Sequence, residues 1–327
     1  MTNQDKIALF REKVLKHLDE RFSVEAPESL YEPIAYILGL GGKRMRPVLT
    51  LMSVDVFNGE IKDALDAALA IEMFHNFSLV HDDIMDDAPL RRGKVTVHEK
   101  WDINTGILSG DAMLIKSYQL FEEYEPEIFK RLVSLFSQTA IEVCEGQQYD
   151  VDFETRSDVT IPEYLKMIEY KTAVLVGASL KMGALISGAD DSDANAIYDF
   201  GRDLGIAFQL QDDYLDAFGD PKTFGKQVGG DIIENKKTIL YLKALEFASL
   251  EDKTVLEQLF EEKPKHPEAK IAKAKELFLK TGSVDFLKQE IKNYTEKAFG
   301  NLEQITVPDE NKMLLREFGK RLMERTI

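Results

Sequence analysis

Aspartates carry the first chemical signal in this chain. His81-Asp82-Asp83-Ile84-Met85-Asp86-Asp87 and Gln211-Asp212-Asp213-Tyr214-Leu215-Asp216 each contain a DDxxD run. The first and last aspartates of each run are four apart, so a helix places them on one face. Like charges at that spacing destabilise a bare helix, which points to a compensating cation. Carboxylates without His or Cys suit hard Mg2+, which keeps its waters and bridges to phosphates. The competing explanation is a solvated acidic face, and a chain this rich in aspartate holds about 0.2 such runs by chance. Two copies, each closing an apolar helical window and each followed by a basic, glycine-containing loop, favour the metal. Asp190-Asp191-Ser192-Asp193 is as acidic but falls between helical windows, where a turn and helix N-cap is expected.

Cations cluster beside these acids. Gly41-Gly42-Lys43-Arg44-Met45-Arg46-Pro47 sets three of them next to two glycines at a helix start, an arrangement suited to an anionic phosphate and equally to a surface turn. Arg91-Arg92-Gly93-Lys94 follows the first acidic run, and Gly225-Lys226 and Asn235-Lys236-Lys237 follow the second. With 41 basic against 58 acidic residues the formal charge is -17. Cations gathered beside carboxylates in such a chain imply a polyanion bridged through metal. Taken together, the residues read as a diphosphate site.

The elements that must hold these groups are helical. Ile7, Phe10, Val14, Leu15 and Leu18 follow i, i+3, i+4 spacing, and Leu49–Val56 does so more loosely. Further windows are expected over 64–86, 105–121, 126–148, 161–188, 193–217, 236–248, 252–262, 268–280, 283–300 and 309–325. Alternating strand patterns with hairpin turns are almost absent. The breaks are a basic loop at Asp87–Val97, a glycine-rich flap at Gly219–Asp231 and a charged turn at Glu262–Glu268. None has the length of a linker, so one all-α domain of ten or more helices over residues 1–327 is expected. The net charge disfavours nucleic acid and anionic lipid as partners. A single Cys144 rules out an internal disulfide, no apolar stretch suits membrane insertion, and a cytoplasmic protein is expected.

The chain resembles the trans-isoprenyl diphosphate synthases of the polyprenyl synthetase family. GGKRMRP, LVHDDIMDDAPLRRG, EGQQYDVD, YKT, FQLQDDYLD, FGKQVGGD and NKKT occur in the family's order. The resemblance implies the isoprenoid synthase fold, a helical bundle around a deep central cavity across which two aspartate-rich helices face each other. It also implies Mg2+, three ions per active site, and a homodimer. Asp82 and Asp86 match metal ligands of the first motif, with Asp83 supporting them. Asp212 matches the ligand of the second, with Asp213 and Asp216 beside it. Arg91, Lys171, Lys226 and Lys236 match cations that grip the allylic diphosphate. Lys43, Arg46, His75 and Arg92 match the site for isopentenyl diphosphate. Thr172 and Gln209 match groups near the developing carbocation, and Gln147 and Asp150 match a GQxxD element of the cavity wall. His75 lies on the acidic face further down its helix, although a satisfied core histidine is the competing reading.

Product length is read from the residues before the first motif. At 1.5 Å per residue, Phe74, Phe77 and Ser78 lie about 12, 7.5 and 6 Å below Asp82. Aromatic rings there would form a floor for a growing prenyl tail, though ordinary core packing is the commonest fate of such a Phe. In the family, positions just upstream of the first motif govern chain length. Phe77 with the small Ser78 resembles enzymes making geranylgeranyl diphosphate (C20), with farnesyl diphosphate (C15) or a longer product as alternatives. Val95 stands where many relatives have proline. A terpene cyclase would not need a second acidic motif or the cations Lys43, Arg46 and Arg92, and a non-catalytic subunit should have lost carboxylates. The expected activity is therefore prenyl transfer from an allylic diphosphate to isopentenyl diphosphate.

Overall fold

The computed structural model describes residues 2–220, 228–262 and 264–324. Among them the only strands are a two-residue antiparallel pair, and everything else regular is helical, as the periodicity predicts. No helix among the described residues is long and apolar enough to cross a membrane. The helices divide into two compact units.

The first unit takes the residues up to Gln138, Leu175–Tyr198 and Ile305–Leu315. It contains α1 (Asn3–Arg21), α2 (Glu28–Gly39), α3 (Met45–Val56), α4 (Leu65–Met85), α5 (Val97–Lys100), α6 (Ile103–Gln119) and the start of α7 (Pro126–Thr155). Most of α9 (Val174–Ile186) and the start of α10 (Asp191–Phe218) belong here too. Leu49, Leu51, Met52, Val54 and Val56 of α3 are buried, as are Thr50 and Ser53, because a helix apolar on nearly every side must lie inside its unit. Helix α4 packs along α6 and α3. Helix α2 was not among the expected windows. Pro27 and Pro33 break its pattern in sequence, yet Pro33, Ile34, Ile37 and Leu38 are buried together on one face.

The second unit takes Thr139–Val174, the described part of Asp199–Gln304, and the residues from Arg316. It holds α8 (Ile161–Ile168), a π turn at Glu169–Ala173, α11 (Gly230–Ile233), α12 (Ile239–Phe247), α13 (Leu250–Leu259), α14 (Glu268–Thr281) and α15 (Ser283–Gln304). Helix α16 (Asp309–Met323) is divided between the units. Leu210, Ile239, Leu240, Leu256, Leu277, Phe278 and Leu287 form its apolar core.

Two local expectations have definite outcomes. Asp190 accepts a hydrogen bond from the Asp193 N–H (2.8 Å), so the acidic decoy is the N-cap of α10 as expected. The 87–97 loop is instead partly a hairpin, with Leu90 (β1, Leu90–Arg91) paired to Val95 (β2, Lys94–Val95) around Arg92-Gly93. Both turn residues have positive φ, 54° and 73°, the geometry of a two-residue primed turn. A glycine second in the turn was the available signal, and the arginine before it obscured the pattern.

Candidate active site

In the first unit, α4 ends at Met85 with Asp86 as its C-cap. Asp82, Asp83 and Asp86 therefore crowd the negative end of the helix dipole, and the last turn holds no basic residue of its own. Arg91 relieves one of the three. Its Nε donates to both oxygens of Asp83 at 2.8 Å, while its Nη2 lies 2.6 Å from Asp83 and 3.6 Å from Asp82. Asp83 is buried, and burial raises its pKa against the pull of Arg91. Asp82 is partly exposed and Asp86 exposed, which leaves this pair on the accessible side of the turn.

Two further arginines meet α4 about two to three turns before this acidic end, at Glu72 and His75. Arg44, buried and in a left-handed conformation (φ 51°), pairs with buried Glu72 and donates to the Leu38 carbonyl. Of the three cations in the 41–47 segment, Arg44 is thus neutralised by the protein itself. Arg46 Nη1 lies 3.1 Å from His75 Nε2, which must accept because a guanidinium only donates. Burial, together with Arg46, Arg92, Arg91 and Arg44, drives the His75 pKa well below 6.5, so the ring is neutral. Arg92 donates to the Gly41 carbonyl and lies against Gly42, where a Cβ would come within 2.7 Å of the guanidinium. Gly42 also has φ 116°, so both backbone and space require glycine. Burial lowers the pKa values of Arg46 and Arg92 alike. Among the described residues neither has a carboxylate partner, and Arg46 Nε is buried without a hydrogen bond. Guanidiniums without a carboxylate partner, with exposed Lys43 close in the chain, are chemically suited to an anion.

Below Asp82 on α4, Phe74 and Phe77 are buried with ring centroids 5.5 Å apart. Phe74 meets Phe136 at 5.2 Å, Phe136 meets Phe121 and Tyr118, and Phe77 meets His81. Ser78 is only partly buried and its hydroxyl donates to the His75 carbonyl. The two phenylalanines thus belong to a larger aromatic cluster than α4 alone supplies.

In the second unit, Lys171 Nζ donates to Asp150 at 2.6 Å, and Lys236 Nζ lies 3.6 Å from the same oxygen. Burial alone would raise the Asp150 pKa, but the two ammonium groups override it and hold the carboxylate below its ordinary value. Lys236 Nζ also lies 4.0 Å from Glu154, so acids and ammonium groups alternate here. Lys171 and Thr172 sit in the π turn, a rare helix distortion often associated with function. Gly146 of α7 makes that approach possible, since a Cβ there would stand 2.2 Å from the Lys171 backbone nitrogen. Gln147, next to it, keeps a buried Nε2 without a hydrogen-bond partner.

The second acidic motif lies near the end of α10. Asp213 is buried, accepts from the Tyr164 hydroxyl, and lies 3.5 Å from Gln209 Nε2. Burial and nearby Asp231 raise its pKa well above the carboxylate range. Asp216 accepts from the Asp231 N–H at 3.0 Å, at the start of α11, while Asp212 is partly exposed. In both motifs, then, the middle aspartate is buried against a protein donor. Lys226 lies outside the described residues.

The other expected residues collect into these two neighbourhoods, one per unit. Sequence reading missed Glu72, Gly146 and Tyr164, whose roles depend on partners distant in the chain. The accessible carboxylates are an all-oxygen donor set without His or Cys, and this fits a hard divalent cation such as Mg2+.

A model of the polyprenyl synthetase family matches residues 27–278. The geranylgeranyl diphosphate synthase of Methanosarcina mazei is 37% identical, over 97% of this chain and 96% of its own. The crystal structure of a geranylgeranyl pyrophosphate synthase superposes with a TM-score of 0.92 at 52% identity, covering 98% of this chain and 99% of that one. A geranylgeranyl pyrophosphate synthase from Corynebacterium glutamicum, complexed with isoprenyl diphosphate and magnesium, gives 0.85 at 28% identity, covering 99% and 100%.

Proposed function

Since this chain belongs to the polyprenyl synthetase family, we propose that it extends an allylic diphosphate with isopentenyl diphosphate to give geranylgeranyl diphosphate. The chain is a short-chain trans-prenyltransferase, and the C20 product and the residue roles below are our reading. The observation that carries it is the charge imbalance around α4. Among the described residues Arg46 and Arg92 have no carboxylate partner, while Arg91, next to Arg92, pairs with Asp83 at a helix end crowded with carboxylates. A diphosphate needs the first and a divalent metal the second.

In this reading Asp82, Asp86, Asp212 and Asp216 hold Mg2+, while Asp83 and Asp213 position them from buried sites. A metal held there would supply positive charge against the diphosphate oxygens. Arg46, Arg92 and Lys43 hold isopentenyl diphosphate, with neutral His75 as a donor through Nδ1–H. Lys171 and Lys236, set by Asp150, and Arg91 with Lys226 draw on the allylic diphosphate. Its C–O bond breaks with the electron pair going to oxygen, and fixed cations stabilise that charge without reorganising. Gln209 and Thr172 offer oxygen atoms to the allylic cation, and Gln147 donates to the diphosphate. The double bond of isopentenyl diphosphate then attacks the cation, and a proton leaves to the released pyrophosphate. The aromatic cluster at Phe74 and Phe77 supports a floor that stops the tail at C20 and keeps water out. Residues 1–327 act as one catalytic domain, and the enzyme works as a homodimer in the cytoplasm.

Incubation with isopentenyl diphosphate, Mg2+ and each allylic primer, followed by chromatography, tests this. A C20 product is expected, and C15 or C25 as the main product would refute the length assignment. Asp82→Ala should lower turnover by about two orders of magnitude with helix content unchanged. Wild-type rates in that variant would remove the metal role.

A further inference from the structure

One cluster is used by none of this chemistry. Asp87, His98 and Glu99 offer ligand atoms that all lie within 4.8 Å of one another. The carboxylates are exposed, but His98 is only 8% exposed, and neither Nδ1 nor Nε2 has a hydrogen-bond partner. Its nearest acidic contact, Nε2 to Glu99 Oε1 at 3.9 Å, is too long for a hydrogen bond. A buried imidazole with both nitrogens unmet is costly, and this one borders two exposed carboxylates.

We propose that Asp87, His98 and Glu99 bind a zinc-class transition-metal ion that clasps the base of the Arg91–Arg92 hairpin. Metal–ligand bonds of about 2.0–2.2 Å place tetrahedral ligands about 3.3 Å apart. The contraction from 4.8 Å is within reach of side-chain rotation at exposed Asp87 and Glu99. The imidazole sets the metal class, because nitrogen donors select zinc, cobalt or nickel over magnesium. Water completes the coordination. The placement gives the ion a structural role. Asp87 and His98 bracket the hairpin, whose base is tied by Thr96 Oγ1 donating to the Ala88 carbonyl (2.8 Å) and Thr96 N–H to the Pro89 carbonyl (3.2 Å). A metal bridging 87 to 98 closes that loop covalently in all but name and reduces the freedom of the segment that carries both arginines.

The full-length protein, stripped with chelator and dialysed into millimolar Mg2+, is titrated with Zn2+ against a chromophoric chelator. One tightly held Zn2+ is expected. Glu99→Gln and His98→Gln should each weaken it at least about tenfold. Cobalt should give a visible absorption band that both variants lose. Failure to hold Zn2+ against Mg2+, or wild-type affinity in Glu99→Gln, overturns the site. Should His98→Gln not fold, the imidazole nitrogen resonances of wild-type His98 decide, since they must shift at one equivalent of Zn2+ and an unmoved ring rejects the clasp.

Discussion

The middle aspartates of the two motifs show how burial separates residues that look alike in sequence. Asp83 rests on Arg91 and Asp213 on Tyr164, and both carboxyls are raised by burial, whereas their neighbours at 82, 86 and 212 keep solvent access. His75 is perturbed in the opposite sense. Its folded pKa is depressed, while in the unfolded chain it takes a proton near 6.5. Above 6.5 both states are neutral and it adds no pH dependence. As pH falls below 6.5 the unfolded state binds the extra proton, so stability is lost, at up to about 1.4 kcal/mol per pH unit, until the folded pKa is reached. Denaturant melts of His75→Gln should show a flatter decline between pH 6.5 and 5. An identical slope would mean that His75 is protonated in the fold. Phe77 meets Phe74 and His81. Phe77→Ser should lengthen the product by at least one isoprene unit and cost about 3 kcal/mol of stability. If the product spectrum stays the same, the floor lies lower.

Among elements, the π turn at 169–173 and the hairpin at 90–95 give the cations their directions. The π turn presents Lys171 to Asp150 only because α7 has no side chain at position 146. In Gly146→Ala the new carbon would meet backbone, which cannot swing aside as a long side chain can. We expect a loss of about 1–3 kcal/mol in urea melts and a turnover defect larger than global unfolding accounts for. Unchanged stability and turnover would show that the two helices separate freely. The hairpin acts by its hand. Left-handed Arg92 follows extended Arg91, so consecutive arginines diverge, one onto Asp83 and the other onto the Gly41 carbonyl. Arg92 in that conformation carries a strain that an asparagine or glycine would not.

For the whole molecule, exposed apolar side chains bear on the proposed dimer. Ile103 and Ile107 of α6 lie one turn apart on an exposed strip that Leu108 and Ile115 extend, with exposed Asp111 between them. Such a stripe on a protein of formal charge -17 is a candidate contact between two copies, since shielding it offsets charge repulsion. Light scattering should give twice the chain mass. Leu108→Asp should shift the population towards monomer, and a monomeric wild type would rule the assembly out.

Sequence alone determined the helical class and the positions of the acidic and basic motifs, because helix periodicity and i, i+4 charge spacing are local properties. It also placed a turn and helix cap in the Asp190–Asp193 run, for the same reason. Helix α2 escaped because Pro27 and Pro33 oppose a helix locally and only burial of Ile34, Ile37 and Leu38 outweighs them. Which cation is spent on the fold and which is left for ligand was decided by tertiary structure. Arg44 and Arg46 are two residues apart and chemically identical, yet Glu72 meets one and neutral His75 the other. Burial and pairing are properties of three-dimensional neighbours, and no reading of spacing along the chain contains them.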